Sequence, residues 1–418
     1  MNSVLISQHH ISGLSNVDKK KHIHKLRLLK AITAQGAKSV SDLSSILSAS
    51  TPTSIQIINE LLQDGVIEKN GYGKSIGGRK PELYMMKPGL LYILSIEMEG
   101  FKTKMAIVDN NNIMVSAIQS FPLVLANEVN AVDILYDYAR QLIQSSGIDI
   151  DKLIGIGISI PGLVNTKHGS SYTYIISNQH LQTLQQVFEE RFDRPVFIQN
   201  DVKSSALAES RLGLAQGKRD VLVLLMDWGI GLGIIMDGEL RSGTSGFSGE
   251  IGHIPFVEDG ALCYCGKRGC LETVASGIAL ARLAKEGIKS GQYSLLNELS
   301  DQEIEKIEPH IVIDAANRGD QYAINILSDI GKNLGKAIAT LIQLFNPELV
   351  ILGGKIAEAK QYITTPIQHS INMYSMTQFT ENTKIVLSEL GPDAGILGNV
   401  HTVIEKIFDK QINIIVLQ

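Results

Sequence analysis

Residues 249–253 read G-E-I-G-H and residues 263–272 read C-Y-C-G-K-R-G-C-L-E, so every cysteine of this 418-residue chain falls in one short stretch. Three thiolates and one imidazole make a closed tetrahedral set for zinc, and the glycines between the cysteines permit the tight turns that gather three sulfurs. Four protein ligands leave no position for water, which argues against a catalytic metal. A chance cluster of free thiols is the competing interpretation. The predicted ligands of a structural zinc ion are His253, Cys263, Cys265 and Cys270.

Two carboxylates, Glu250 and Glu272, flank the predicted metal ligands in sequence. A loop held by a metal and bearing polar groups on both sides is suited to present them to a small ligand. The pattern E-x-G-H followed by C-x-C-G-x-x-G-C-x-E resembles the signature of the ROK family, a group of bacterial sugar kinases and sugar-responsive transcriptional repressors. The resemblance implies that Glu250, His253 and Glu272 contact sugar hydroxyls, and that the histidine and the cysteines hold zinc.

The length of the chain predicts a protein of more than one domain. Hydrophobic residues make up 44% of the chain and charged residues 19%, which is ordinary for a soluble globular protein. No apolar run reaches the length of a membrane span, and the polar N-terminus lacks the apolar core of a signal peptide. We therefore expect a cytoplasmic protein with no membrane partner, in which reduced thiols favour a metal over disulfides.

The net charge of −5 conceals an asymmetry along the chain. Residues 1–88 contain twelve Lys or Arg and six Asp or Glu, whereas the remainder contains 26 basic and 37 acidic residues. A basic N-terminal segment on an acidic body indicates a nucleic-acid-binding module, although a solvated basic surface would give the same count.

The basic segment has the pattern of a helix-turn-helix. Apolar periodicity predicts a helix over residues 19–35, a second helix capped by Ser39 or Ser41, and a third that opens at Thr51-Pro52. Three short helices with a tight turn before the third predict that the third enters the DNA major groove, although a three-helix packing unit without a DNA role is the alternative. The predicted inward face of the third helix is Ile55, Ile58, Leu61 and Leu62. The predicted outward residues are Thr53, Ser54, Gln56 and Ile57, with Ile57 able to meet a thymine methyl.

Residues 66–86 read as a hairpin with a glycine-rich, basic tip, which is typical of a wing that contacts the DNA backbone or minor groove. Its sequence, G-x-G-x-S-x-G-G-R-x-P-x-L-Y, is very similar to the wing of ROK repressors. A phosphate-binding enzyme loop is the competing interpretation, but no helix follows. The predicted DNA contacts are Thr51, Thr53, Ser54, Gln56, Lys74, Arg79 and Lys80.

The remainder of the chain shows a weak internal duplication. Residues 91–109 and 221–238 share the order apolar strand, glycine turn, apolar strand, and residues 153–161 resemble 348–354. Two α/β halves around a cleft, with helices such as 131–146 and 320–346, match the actin-like (ribonuclease-H-like) fold of sugar kinases. The predicted domains are a winged helix-turn-helix over 1–88, a first half over 89–200 completed by a helix near 394–408, a second half over 201–393, and a tail over 409–418. The apolar run 414–417 is interpreted as an edge strand or a subunit contact.

Three turns depart from the nucleotide-binding pattern of ROK kinases. Where the kinases read D-x-G-G-T, this chain has E-M-E-G-F at 97–101, so that Glu99 replaces a glycine and Phe101 a threonine. The second turn, G-T-G-x-G-x-G in the kinases, reads D-W-G-I-G-L-G at 227–233, and a G-G-G pattern becomes G-G-K at 353–355. Acids and bulky rings oppose bound phosphate, so productive ATP binding is not expected.

The pair Asn200-Asp201 matches the N-D pair of the family, whose aspartate is the general base in the kinases. Asp201 would be a vestigial base that binds a sugar hydroxyl; capping of the following helix is the other use, and both uses can hold at once. The sequence thus predicts a regulator, most simply a repressor, that binds operator DNA as a homodimer or homotetramer and is released by a sugar or a sugar phosphate. There are two alternatives. One is an ATP-dependent sugar kinase with a DNA-binding domain, and the other is a repressor controlled by another protein.

Overall fold

The computed structural model describes residues 13–74, 80–125, 130–175 and 182–417. The chain divides into two compact units, one formed by Met1–Ser204 with Gly395–Gln418 and the other by Ser205–Ala394. The first unit thus includes the DNA-binding segment and the C-terminal helix, and the second includes the cysteine loop.

The N-terminal part of the first unit is a winged helix-turn-helix. Its helices are α1 (Asn16–Gln35), α2 (Val40–Leu47) and α3 (Thr51–Gln63), and its antiparallel sheet has the order β1 (Lys38–Ser39), β3 (Glu82–Met86), β2 (Ile67–Tyr72). Ser39 caps α2 with a reciprocal capping box, as one of the two predicted capping residues. The cap of α3 is Ser50, one residue before the predicted hydroxyl, and it accepts from the backbone N–H of Thr53.

The prediction of which residues of α3 face inward and which face outward is partly wrong. Ser54 and Ile57, predicted to point outward, are buried, whereas Ile55, predicted to point inward, is 42% exposed. The Ser54 hydroxyl donates to the carbonyl oxygen of Ser50 at 3.2 Å, which satisfies its polar group and lets it be buried on the side that packs against the other helices. Neither Ser54 nor Ile57 is therefore available to DNA.

The first unit also contains a five-stranded mixed sheet of order β10-β7-β4-β5-β6. Its strands are β4 (Tyr92–Met98), β5 (Lys102–Asp109), β6 (Gln119–Pro122), β7 (Leu153–Ile160) and β10 (Val196–Asn200). The short strands β8 (Val164–Asn165) and β9 (Ser170–Ser171) form a separate two-stranded sheet. Helices α4 (Ala131–Ser146) and α5 (Leu184–Phe192) pack on the sheet, and α6 (Asp201–Arg211) follows β10 directly.

The C-terminal residues form the end of a long helix, α14 (Ala394–Val416), so an edge strand at 414–417 is wrong. Helix spacing explains the difference, because Phe408 and Ile415 lie on one face and are both buried. They share a hydrophobic core with Leu29 and Leu61 of the winged helix. Residues 409–416 therefore continue the helix and pack on the DNA-binding segment.

The second unit repeats the topology of the first sheet. Its strands β11 (Val221–Met226), β12 (Ile230–Met236), β13 (Glu239–Leu240), β14 (Leu349–Gly353) and β15 (Lys384–Leu387) have the order β13-β12-β11-β14-β15. In both sheets the first three strands in sequence form an antiparallel meander and the last two are added in parallel. The predicted duplication and the two α/β halves are confirmed.

The helices of the second unit are α7 (Glu272–Ala275), α8 (Gly277–Lys289), α9 (Asp301–Glu305), α10 (Pro309–Asn317), α11 (Gln321–Phe345), α12 (Gln361–Tyr374) and α13 (Thr377–Thr380). Apolar residues of α11 and α12 join those of β11, β12 and β14 in one core. Across the described ranges, no helix has the length and apolarity that crossing a membrane requires.

Candidate metal, sugar and DNA sites

The cysteine loop brings together all four predicted metal ligands. One ring nitrogen of His253 and the three sulfurs lie within 4.8 Å of one another. The Cys265 and Cys270 sulfurs are 3.6 Å apart, and the Cys263 sulfur is 3.6 Å from His253 Nδ1. Tetrahedral zinc with ordinary bond lengths places two sulfurs about 3.8 Å apart and a sulfur and a nitrogen about 3.6 Å apart. The four residues therefore fit a tetrahedral metal ion.

Glycines shape the backbone of this loop. Gly269 has φ +72°, and a Cβ there would lie 1.8 Å from the carbonyl oxygen of Val257. Gly249, in the G-E-I-G-H segment, has φ +84°, and a Cβ there would lie 1.8 Å from the carbonyl oxygen of Leu232. Any larger residue would push the segment off β12 and displace Glu250 and His253 with it.

The protonation of the ligands links metal binding to pH. Burial and the neighbouring thiols raise the pKa of Cys270 to about 12, and burial also raises the pKa of Cys263. Burial lowers the pKa of His253, so its imidazole is neutral near pH 7, which is the form that binds metal. A bound cation must displace the thiol protons, so affinity rises with pH.

The sequence did not single out Tyr264, which completes the environment of His253. Its hydroxyl lies 3.0 Å from His253 Nε2, so the ring has one nitrogen facing Cys263 and the other on a phenol. Such an outer contact fixes the orientation of a metal-binding imidazole. It also occupies the nitrogen through which the predicted sugar contact of His253 would be made. The only signal in the sequence was the position of Tyr264 between two ligands.

Glu272, at the start of α7, is a buried carboxylate whose two oxygens differ in their hydrogen bonding. It is 4% exposed; Oε2 accepts from the backbone N–H of Ile230 at 3.3 Å, while Oε1 is buried and has no hydrogen-bond partner among the described residues. Burial, with the charge of Glu250, raises the pKa of Glu272 to about 7. A buried acceptor without a donor costs free energy, and a hydroxyl group of a ligand would supply the donor.

Asn200 and Asp201 lie in the first unit, where β10 ends and α6 begins. Asn200 caps the helix, since its Oδ1 accepts from the backbone N–H of Lys203 at 3.2 Å. Its Nδ2 donates to the carbonyl oxygen of Gly162 and to Asp201 Oδ1, both at 3.0 Å. Asp201 Oδ1 also accepts from the N–H of Val202 at 2.9 Å. These bonds fix the orientation of the Asp201 carboxylate.

The turns at 97–101 and 227–233, which correspond to nucleotide-binding turns of ROK kinases and are called the phosphate turns here, contain acids held in ion pairs. Lys104 Nζ lies 2.7 Å from Glu99 and 3.4 Å from Glu97, and Lys102 lies 3.9 Å from Glu99. Burial alone would lower the pKa of Lys104, but the two carboxylates outweigh it and raise the pKa above the usual lysine value. In the second unit, Lys355 Nζ lies 3.5 Å from Asp227. These lysines neutralise acids of the protein instead of being free for a phosphate.

The outward face of α3 and the wing form the candidate DNA surface. Thr51, Thr53 and Gln56 are exposed, as are Lys74 and Lys80 beside the wing tip, while Arg79 lies outside the described residues. The Thr53 hydroxyl is 2.8 Å from that of Ser50, so this side chain also serves the helix cap. Asn59 is exposed one turn after Ile55 and Gln56; it was not among the predicted DNA contacts, although helical spacing places it on the same face.

A polar turn after β5 holds the segment that joins the winged helix to the first sheet. Asn110 is fully buried; its Oδ1 accepts from the N–H groups of Leu90 and Leu91, both at 3.0 Å, and its Nδ2 donates to the carbonyl oxygen of Lys87 at 3.0 Å. Asp109 accepts from the N–H of Gly89 at 3.1 Å. The junction, residues 87–91, is therefore held to this turn by hydrogen bonds from Lys87 to Leu91.

This chain is similar in sequence and in fold to proteins of a known family. The ROK family model matches residues 93–406. A xylose repressor of Caldicellulosiruptor bescii is 29% identical over 390 residues, which is 92% of this chain and 96% of that protein. The crystal structure of a ROK family transcriptional regulator, a homologue of the E. coli MLC protein, has a TM-score of 0.76 at 26% identity and covers 96% of this chain and 99% of that one.

A glucokinase of Thermotoga maritima is 30% identical over 318 residues, which is 98% of the kinase but only 76% of this chain. About a quarter of this chain thus lies outside the match to a complete kinase, whereas the repressor and the regulator match it over more than nine tenths. The resemblance seen in the sequence is confirmed: the chain belongs to the ROK family and has the organisation of its sugar-responsive transcriptional regulators.

Proposed function

We propose that this protein binds operator DNA through α3 and the wing, and that a sugar or sugar phosphate weakens this binding without efficient phosphoryl transfer. The observation on which the proposal rests is the pairing of Glu99 and Asp227 with lysines at the two phosphate turns, in a chain that also contains a winged helix-turn-helix. A kinase must neutralise the charge of the transferred phosphoryl group. Here the nearby cations already neutralise carboxylates.

The proposed sugar contacts are Asn200 and Asp201 in the first unit, and Glu250, His253 and Glu272 in the second. The buried Oε1 of Glu272 supports the assignment, because a sugar hydroxyl would donate the hydrogen bond that it lacks. Asp201 supports it in the first unit, because its carboxylate is oriented by Asn200 and the start of α6. Tyr264 implies that His253 acts mainly as a metal ligand, with any sugar contact made in competition with the phenol.

The metal would be zinc in a structural role. The set of three sulfurs and one imidazole nitrogen is a zinc set, and the spacing of the ligand atoms fits tetrahedral coordination. Bound zinc would hold together the loop that contains Glu250 and Glu272, so the metal would support sugar binding through the shape of the loop.

The sugar signal would reach DNA through the β4–β5 hairpin. One end of this hairpin carries Glu97 and Glu99, and the other carries the polar turn that binds residues 87–91. A ligand shifts such an equilibrium only by its different affinity for the two states. An operator read by this protein would be palindromic and bound by a homodimer or homotetramer, since one helix-turn-helix gives little specificity.

The experiment begins with operators selected from a random-sequence duplex library by the full-length protein. Free monosaccharides, amino sugars and their phosphates are then screened for weaker operator binding in the absence of nucleotide. Asp201→Asn keeps the oxygen that accepts from Val202 but removes the charge, so it should reduce the sugar response and leave sugar-free DNA binding in place. If no sugar or sugar phosphate changes DNA binding, the proposed function is wrong.

The second candidate function is a sugar kinase that also binds DNA. It is favoured by Asp201, which occupies the position of the general base in the matching motif, and by the glucokinase relative. Phosphate transfer from ATP to a sugar at roughly 1 per second or faster, lost in Asp201→Asn, would establish this candidate instead.

A further inference from the structure

A group of four side chains connects the exposed face of α3 to α1. Gln56 Nε2 donates to Glu60 Oε1 at 3.3 Å, one turn along α3. Lys21 Nζ lies 2.5 Å from the same carboxylate oxygen, and Lys25 Nζ lies 3.1 Å from Oε2. Glu60 therefore receives a lysine on each oxygen and the amide of Gln56 as well.

The hydrogen bond to Glu60 restricts the orientation of the Gln56 amide. A glutamine that reads adenine accepts from the N6 amino group through Oε1 and donates to N7 through Nε2. The Nε2 group has two hydrogens, so one can remain on Glu60 while the other donates to the base. A carboxylate can only accept, so it selects the amide orientation with Nε2 toward Glu60.

The surrounding charge keeps Glu60 compatible with DNA. Burial alone would raise its pKa, but Lys21, Lys25 and Gln56 outweigh this and lower the pKa, so the group stays ionised at neutral pH. The two lysines balance the charges of Glu60 and of Asp64, which also pairs with Lys25, so the group presents no excess negative charge to phosphates.

We infer that Glu60 is a specificity-determining positioning residue, which holds the Gln56 amide in the orientation that reads an adenine in the major groove. The inference rests on the proposed function, because it requires that α3 reads DNA. Glu60 itself touches no base; it acts through Gln56. Its removal should therefore relax base discrimination at one position of each half-site without a uniform loss of affinity.

The test compares operators selected from the random duplex library by the full-length wild type, Glu60→Ala, Gln56→Ala and Asp64→Ala. Asp64 is the matched control, because it pairs with Lys25 at 3.4 Å and carries the same charge but has no contact with Gln56. We expect Glu60→Ala and Gln56→Ala to lose preference at the same base pair, by about tenfold, which is within the usual value of one bidentate contact. The double variant should lose no more than either single variant.

Glu60→Gln retains an acceptor near the amide and should recover part of the preference, which a purely structural role would not predict. The inference is overturned if Glu60→Ala keeps the preference that Gln56→Ala loses, if Gln56→Ala loses none, or if Glu60→Ala weakens binding to all sequences equally. A wild type that selects no sequence at all would instead refute the proposed function, and with it the inference.

Discussion

Replacing Asn110 with alanine should uncouple the winged helix from the sugar response. The substitution removes the acceptor for the N–H groups of Leu90 and Leu91 and the donor to the carbonyl oxygen of Lys87. Leu91 is 1% exposed, so water cannot replace its lost bond. Leaving one buried donor unsatisfied costs about 1–3 kcal/mol, and the two more accessible groups add up to about 1 kcal/mol each. The expected loss is roughly 1–5 kcal/mol, or several degrees in Tm for a unit of this size.

The assay measures operator affinity with and without a saturating active sugar, beside thermal unfolding. Sugar-free affinity should be largely retained, while the fold-change caused by sugar should fall toward one, because the side chain at 110 no longer bonds residues 87–91 to the β4–β5 hairpin. Asn110→Asp is the comparison variant: it keeps the acceptor for Leu90 and Leu91 but replaces the donor to Lys87 with a buried carboxylate oxygen, so its own loss of stability is measured beside that of Asn110→Ala. If Asn110→Ala loses the expected stability but keeps the full sugar response, the polar turn is not the coupling element.

Two further predictions concern the second unit. Purified protein should contain about one zinc per chain, and Cys265→Ser should lose the metal and lower Tm; elemental analysis that finds no stoichiometric metal and three reactive thiols would contradict the site. Glu209 is 1% exposed, and burial is the main cause that raises its pKa above the ordinary 4.5, so the folded state binds its proton more tightly and the contribution of Glu209 to stability falls as pH rises from 4.5 through the folded pKa. Glu209→Gln should remove that fall; unchanged dependence of Tm on pH would contradict this prediction.

Motifs with their own chemistry were predictable from the sequence. The cysteine spacing and the two glycines required a compact loop, and the structure brings together His253, Cys263, Cys265 and Cys270 as expected. The duplicated strand pattern likewise predicted two sheets of the same topology. For the cysteine loop the information is local, because the four ligands lie between residues 253 and 270.

Features decided by distant packing were not predictable. Ile55 and Ile57 are equally apolar, and only the position of α1 and α2 decides which of them is buried; Ser54 could follow Ile57 inward because the backbone of Ser50 satisfies its hydroxyl. The run 414–417 is too short to distinguish a strand from a helix by itself. Its helical form follows from a core that α14 shares with the winged helix, and from the 2.6 Å ion pair between Lys30 and Asp409.

The most direct test of the central claim is the affinity of the full-length protein for its selected operator, titrated with each sugar and sugar phosphate while ATP is absent and then present. Because Glu99 and Asp227 are paired with lysines at the phosphate turns, nucleotide should be unnecessary. The account predicts that one sugar or sugar phosphate weakens operator binding equally with and without ATP. Release that occurs only with ATP, together with phosphorylation of the sugar, would contradict it.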